Sequence, residues 1–510
     1  MRMTLQALCW LACGAGLSAA GPALADGPGE LDAGPAYAKF HLTLDSGWRE
    51  EAAGPFFYAQ WAEGQTQWAL PPFFSRTLTP EVEWSEWNLF YPVVNYRRFG
   101  GEYRLQIAQL LSFSGGNTQE AKSVRRLTIF PLYFRQRSSE TNLNYTAVVP
   151  FYGELKNRLF RDDIKFVLFP LYSETRKKDV ITDNYLYPVF DLRRGDHLTG
   201  WQVWPLAGAE HKTPTLRTNS LDQVETVGGY DSAFALWPFW FKSRLGLGTT
   251  NPAARLTVLP FYNRMRSVSR DETCYGWPLG VNMIHDREKD YVEQDFLWPL
   301  FVRARGAKRV TRCFPFYSRA HSKGMESSID VFSISKPENP QHETPVETES
   351  DFYAFPIYKF NRLRAPPLDR RRTRILYLLY SDTVERNTET HDLKRRVDLW
   401  PLYTYQRELD GNRRLQVMAL LEPFFPNNRT VPREYSPLWA VWRSERNART
   451  GAASQSLLWN LYRHKSAGAA KKTSLLFGLF QYQSTPDGSQ WRVCYLNVGK
   501  KRAQSPVPKA

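Results

Sequence analysis

Beyond its N-terminus the chain has no run of about 18 consecutive apolar residues, which excludes a membrane-spanning helix. Cysteine is scarce. Of the five, Cys9 and Cys13 lie in the leader, and Cys274, Cys313 and Cys494 are far apart and odd in number. A disulfide framework is therefore excluded, while pairing of two of the three stays open. The eight histidines never approach closer than 14 residues in sequence, so they offer no local pair of metal ligands. Gly246-Leu247-Gly248 lacks a third glycine and a following Lys-Ser/Thr, and is no phosphate cradle. No Gly-x-Ser-x-Gly nucleophile elbow occurs. These absences leave no readable catalytic, cofactor or metal site, and the expectation is a protein that is not an enzyme. A lipid hydrolase assembled from distant strands is the alternative. The 34 prolines argue against long helices.

What the chain does contain begins with an export leader. Arg2 gives a positive start, Leu5 to Ala20 is apolar or small, and Ala23-Leu24-Ala25 matches a small-x-small cleavage site before Asp26. The alternatives are an uncleaved anchor or a lipidated Cys13, against which Trp10 stands three residues before it. The net charge of +16 favours anionic partners such as acidic polysaccharide or lipid phosphate. Nucleic acid is not expected for an exported chain without a binding motif. Aromatic residues make up 15% of the chain. The mean hydropathy of −0.48 does not exclude a membrane barrel, because alternating strands score weakly.

The main signal is an internal repeat. A cassette of a large apolar residue, Pro, an aliphatic or Phe, and often an aromatic recurs as Phe130-Pro131-Leu132-Tyr133, Phe169-Pro170-Leu171-Tyr172, Leu259-Pro260-Phe261-Tyr262, Trp298-Pro299-Leu300-Phe301 and Trp400-Pro401-Leu402-Tyr403, among others. Pro131, Pro150, Pro170, Pro188 and Pro205 follow at intervals of 17 to 20 residues. Gaps of about double length after Pro205, Pro315, Pro356 and Pro401 call for copies without the cassette. Val331-Phe332-Ser333-Ile334 and Leu376-Tyr377-Leu378-Leu379 are the candidates for two of them. Ser436-Pro437-Leu438-Trp439, Trp459-Asn460-Leu461-Tyr462 and Phe477-Gly478-Leu479-Phe480 read as degenerate copies. With earlier copies near Pro55, Pro72, Pro92 and Leu111, the total is roughly 24 units.

Between cassettes lie turn residues such as Arg194-Gly195-Asp196 and Asp410-Gly411-Asn412. Each unit reads as one strand of about 10–13 residues, kinked at its proline, plus a turn. An up-and-down meander of such strands leaves two unpaired edges unless it closes into a barrel. Tyr133, Arg135 and Arg137 alternate onto one face, as do Arg264 with Arg266, Arg303 with Arg305, and Arg319. These seven arginines are candidates for a basic lumen, and Trp298, Leu300, Trp400 and Leu402 for the lipid face. Arg370-Arg371-Arg372 with Arg374, after Pro366-Pro367, reads as a solvated loop. The competing geometry makes each unit a hairpin of strands about six residues long, with Pro at one bend, in a soluble β-repeat array.

The leader, the aromatic-rich strands and the lack of helices make the mature chain resemble large bacterial outer-membrane β-barrels. The likeness is to the class rather than to one family, and it transfers no functional residues. It implies an all-β fold: an antiparallel up-and-down meander of roughly 24 strands closed into a large barrel. The expected organisation is a signal peptide over 1–25, an N-terminal segment over 26–52, the β-repeat barrel over 53–498 and a basic tail over 499–510. The resemblance places the chain in the outer membrane of a Gram-negative bacterium, with outer-membrane lipid and the barrel-assembly machinery as partners. The expected role is a conduit for an anionic or amphiphilic cargo such as polysaccharide or lipid. The alternative role is a structural or adhesive protein of the periplasm or cell surface. The chain departs from the class in ending on a basic tail instead of a strand with a terminal aromatic.

Overall fold

The computed structural model describes residues 31–33, 36–62, 64–117, 123–218, 224–277, 279–323, 328–329, 344–486 and 488–498. The leader, with Cys9, Cys13 and its cleavage site, lies outside the described residues. So do Pro278, the candidate copy Val331–Ile334, His342 and the basic tail.

The fold is an all-β antiparallel meander with almost no helix. Within each unit most strands pair with the strands that precede and follow them. Tyr262–Ser267, for example, pairs on one side with Ala253–Val258 and on the other with Arg270–Tyr275. The chain divides into two compact units, one of residues 92–400 and one that combines 1–91 with 401–510. The second already includes strands Tyr37–His41 and Gly47–Ala52, ahead of the expected start at residue 53.

The repeat differs from the sequence reading in one respect that changes everything downstream. The prolines are not in mid-strand. Pro170 lies in the turn between strands Arg161–Val167 and Tyr172–Lys177, and Pro260 in the turn between Ala253–Val258 and Tyr262–Ser267. Each repeat is therefore a hairpin of two strands, mostly of six residues, with the cassette at one bend and the polar turn at the other. This is the competing geometry, and it replaces the kinked strand of 10–13 residues. The reason is that proline has no N–H to donate to a ladder, so it settles where the ladder stops.

The wide gaps resolve in three ways. Leu376–Leu379 is a true copy without proline, a turn between Leu368–Ile375 and Tyr380–Asn387. The gap after Pro205 holds no extra unit of the main sheet; a separate hairpin, Thr215–Thr218 with Val224–Val227, accounts for its length. After Pro401 the meander is interrupted by helical turns at Thr430–Glu434 and Ser436–Trp439, so Pro437 belongs to a helix and not to a cassette. The Arg370–Arg372 run lies within strand Leu368–Ile375 and is not a loop.

Candidate functional site: an apolar edge, a graded face and a buried clasp

The cassette turns form one edge of the meander. Successive turns are joined by backbone hydrogen bonds: Leu186 N–H donates to Leu171 O (2.6 Å), Tyr187 N–H to Pro170 O (2.7 Å), and Trp237 N–H to Pro205 O (2.7 Å). These bonds continue the ladder from turn to turn. Their side chains are apolar and exposed: Phe130, Leu132, Phe151, Leu171, Leu206, Phe239 and Phe261 among them. Leu168, Leu186, Leu236 and Leu297 hold positive φ of 47°, 51°, 48° and 49°. Glycine is the residue suited to that region. Leucine there carries strain, and its side chain fills no core. The opposite edge is made of polar turns such as Lys178-Asp179 and Asp196-His197, with Leu159-Phe160 as an exception.

Next to the apolar edge the two sheet faces differ. On one face, the register of residues 92–400 aligns a single row from Val94 through Ile129, Tyr133, Tyr172, Phe190, Trp240, Tyr262, Phe301, Tyr358 and Tyr380 to Leu399. No charged residue interrupts it. Two residues further from the turns, the same face carries Arg135, Arg264, Arg303 and Arg319, and two further still Arg137, Arg266 and Arg305. The register thus brings all seven arginines expected to share a face onto one face. Arg137 donates to the carbonyls of Gln136 and Tyr145 and to Thr146 Oγ1. Among the described residues the other six have no acidic partner.

The opposite face is largely buried and mixed, with Phe134, Ala147, Phe166 and Val302 among polar residues in the row next to the turns. Asn184, Asp191, Asn282, Asp295 and Asp398 occupy its corresponding row, and Asn282 Nδ2 donates to Asp295 Oδ2 at 3.1 Å. Trp298, Leu300, Trp400 and Leu402, expected on a strand face, lie in the turns instead. A shallow depression of about 690 Å³ lies among Leu192, Trp201, Ala209, Ala233, Lys242 and Arg244.

The unit that joins the two chain ends holds a feature that sequence reasoning missed. Helical segment Thr430–Glu434 packs on strands Gln65–Leu70 and Phe74–Thr79. Glu434 is completely buried and accepts a hydrogen bond from Ser75 Oγ, while its second oxygen has no partner. Arg433 Nη1 donates to Thr77 Oγ1 at 2.7 Å, and its Nη2 lies 3.7 Å from Glu434 and 3.8 Å from Glu86. Tyr58 OH donates to Arg433 O at 2.8 Å. Burial pushes the Glu434 carboxyl above the usual range, against the pull of Ser75 and Arg433.

Beside this, Arg49 Nε sits 2.7 Å from Glu51, and Asn460 Nδ2 donates to Glu51 Oε2 at 2.5 Å. Burial raises Glu51, but Arg49 and Arg463 outweigh it and hold the carboxyl below its usual range. Burial, with Arg49 alongside, pulls Arg443 down to about 10. These groups border a cleft of about 140 Å³. The arrangement clasps N-terminal strands to C-terminal ones through charge and hydrogen bonds. The described residues contain no group of three or more His, Cys, Asp or Glu side chains placed to hold a metal.

Comparison with protein-family models and with curated proteins finds no match for this chain.

Proposed function

We propose that this chain is an exported, non-catalytic wall protein of the bacterial outer membrane, seated in lipid by its cassette edge. The observation that carries the reading is the row of exposed apolar turns, whose backbones are linked to one another by hydrogen bonds. In hydrocarbon an unpaired peptide group costs several kcal/mol, so only backbone with internal partners enters it. Exposed leucines kept at positive φ, where glycine would relieve strain, point to a partner outside the chain.

Strands of six residues rise about 20 Å, short of the roughly 25–30 Å hydrocarbon layer that a spanning barrel crosses. The edge therefore enters lipid partway, with the Tyr-rich row at the interface, where aromatic residues with one polar end are favoured. The arginine-bearing face looks toward lipid headgroups and the Asn/Asp face, whose row is buried, toward the interior of the wall, the reverse of the facing expected from sequence. Closure of the meander belongs to the same proposal. The clasp between N- and C-terminal strands supports it, since a closed meander needs its two ends to meet. A closed wall whose inner face carries Asn and Asp side chains beside apolar ones suits passage or enclosure of an amphiphilic cargo.

The soluble β-repeat reading has one observation in its favour, the short strands. Cell fractionation separates the two. The wall reading expects the protein in the outer membrane, released by detergent and resistant to high salt. Recovery in the periplasmic extract without detergent would contradict it.

A further inference from the structure

We infer that the basic face is a docking surface for the phosphates of anionic lipid headgroups, so that the cassette edge discriminates among lipid surfaces. This rests on the lipid-seated reading and adds a lipid chemistry to it. The observation is that nearly all acids of strands Trp240–Lys323 lie on one face, together with Arg255, Arg270, Lys308 and Arg312, which leaves the other face basic. The face with the apolar row carries Lys242, Arg264, Arg266, Arg303, Arg305 and Arg319. Asp271 is the acid it carries in these strands, and Arg287 is paired with it. The acids Glu272, Asp286, Glu293 and Asp295 are on the other face.

Height on the sheet matches the layers of a membrane surface. The turns are apolar, the next row is aromatic or aliphatic, and Arg264, Arg303 and Arg319 begin one step of two residues higher, about 7 Å along the strand. An arginine stem lies along apolar surface while its guanidinium reaches outward to polar groups. The guanidinium fork matches phosphate oxygens in a bidentate way. Intramolecular acids do not occupy these forks. Each basic group near an anionic surface strengthens binding by about fivefold, and the effect falls with salt.

The test is co-sedimentation of the full-length mature protein with two kinds of vesicle, pure phosphatidylcholine and a 7:3 mixture with phosphatidylglycerol, where the ratio sets a surface charge on the order of that of anionic leaflets. The expected result is binding to the anionic vesicles tighter by about 10- to 100-fold, with the difference shrinking as salt rises. The triple variant Arg264→Gln, Arg303→Gln, Arg319→Gln should lose most of that difference and keep its binding to phosphatidylcholine. The double variant Arg255→Gln, Arg312→Gln, on the other face, should keep the difference. Circular dichroism establishes that both variants retain β-structure.

Equal binding to the two vesicles would overturn the inference and leave the lipid-seated reading standing. No binding to either would overturn both. A triple variant that keeps the preference would remove the arginines as its source. Release by inorganic phosphate beyond that by sodium chloride of equal ionic strength would assign the site to free phosphate and overturn the lipid assignment.

Discussion

Replacing Leu168, Leu186, Leu236 and Leu297 together by glycine will release the protein from lipid while leaving its fold intact. The two effects separate because these leucines are strained in the chain and exposed from it. Glycine accepts positive φ at no steric cost, so the turns keep their conformation and the thermal midpoint changes little. Each side chain has about half its surface free, from 37% at Leu297 to 62% at Leu236. At about 25 cal/mol per Å² this is about 1 kcal/mol apiece on transfer into hydrocarbon. Four together weaken vesicle binding on the order of a thousandfold. Flotation of wild type and variant with the same vesicles measures it. A variant that unfolds would show the leucines to be core residues. One that folds and floats like wild type would show that the cassette edge does not meet lipid.

The second large effect lies in the clasp. Arg433→Met removes the guanidinium that faces Glu434 and Glu86 and the hydrogen bond to Thr77, leaving buried Glu434 without its cation and with the hydrogen bond from Ser75. Breaking a buried pair from one side costs about 3–5 kcal/mol, seen as a lower thermal midpoint with earlier exposure of the N-terminal strands to protease. Glu434→Gln is expected to be milder and to change the pH profile. Because the Glu434 carboxyl is raised in the folded chain, it holds a proton that the unfolded chain gives up. Its contribution is present below the ordinary carboxylate range and is lost as pH rises through the raised value. Glu51 behaves in the opposite sense. Its lowered carboxyl contributes above the ordinary range, and the contribution is lost as pH falls through the lowered value. Thermal melts across roughly pH 3–8 should therefore show Glu434→Gln flattening the alkaline-going loss and Glu51→Gln flattening the acid-going one. Identical profiles in wild type and both variants would mean that neither carboxyl is held as described.

The repeat, the antiparallel meander and the shared face of the arginines were legible in the sequence, because a period of two residues shows in Tyr262, Arg264 and Arg266 without knowledge of partners. The position of proline is ambiguous in the sequence, which allows either a strand kinked at Pro or a hairpin with Pro at one bend. Phe169-Pro170-Leu171 interrupts no alternation, so side-chain pattern alone favours a strand continued through it over the hairpin that forms. The missing N–H of proline was the signal that a bend was there. Trp298 and Trp400 were consequently assigned to a strand face when they belong to turns. The clasp had no sequence signal at all. Glu434 looks like any surface acid, and its partner Ser75 lies 359 residues away. The helical turn that follows Glu434, Ser436–Trp439, occupies what spacing alone suggested was another cassette.

The central claim is that the cassette edge enters one leaflet while the polar turns stay in water. Depth measurement tests it most directly. In a background with Cys274, Cys313 and Cys494 replaced by serine, a fluorophore is placed on Leu236→Cys in a cassette turn or on Asn251→Cys at the polar end. The vesicle-bound protein is then exposed to lipids brominated along the acyl chain and to aqueous iodide. The account predicts that the label at 236 is quenched by the bromines and shielded from iodide, and that the label at 251 shows the reverse. Bromine quenching at both positions would mean that the strands lie wholly within the bilayer, and iodide quenching at both would mean that the edge never enters it. Either result would contradict the account.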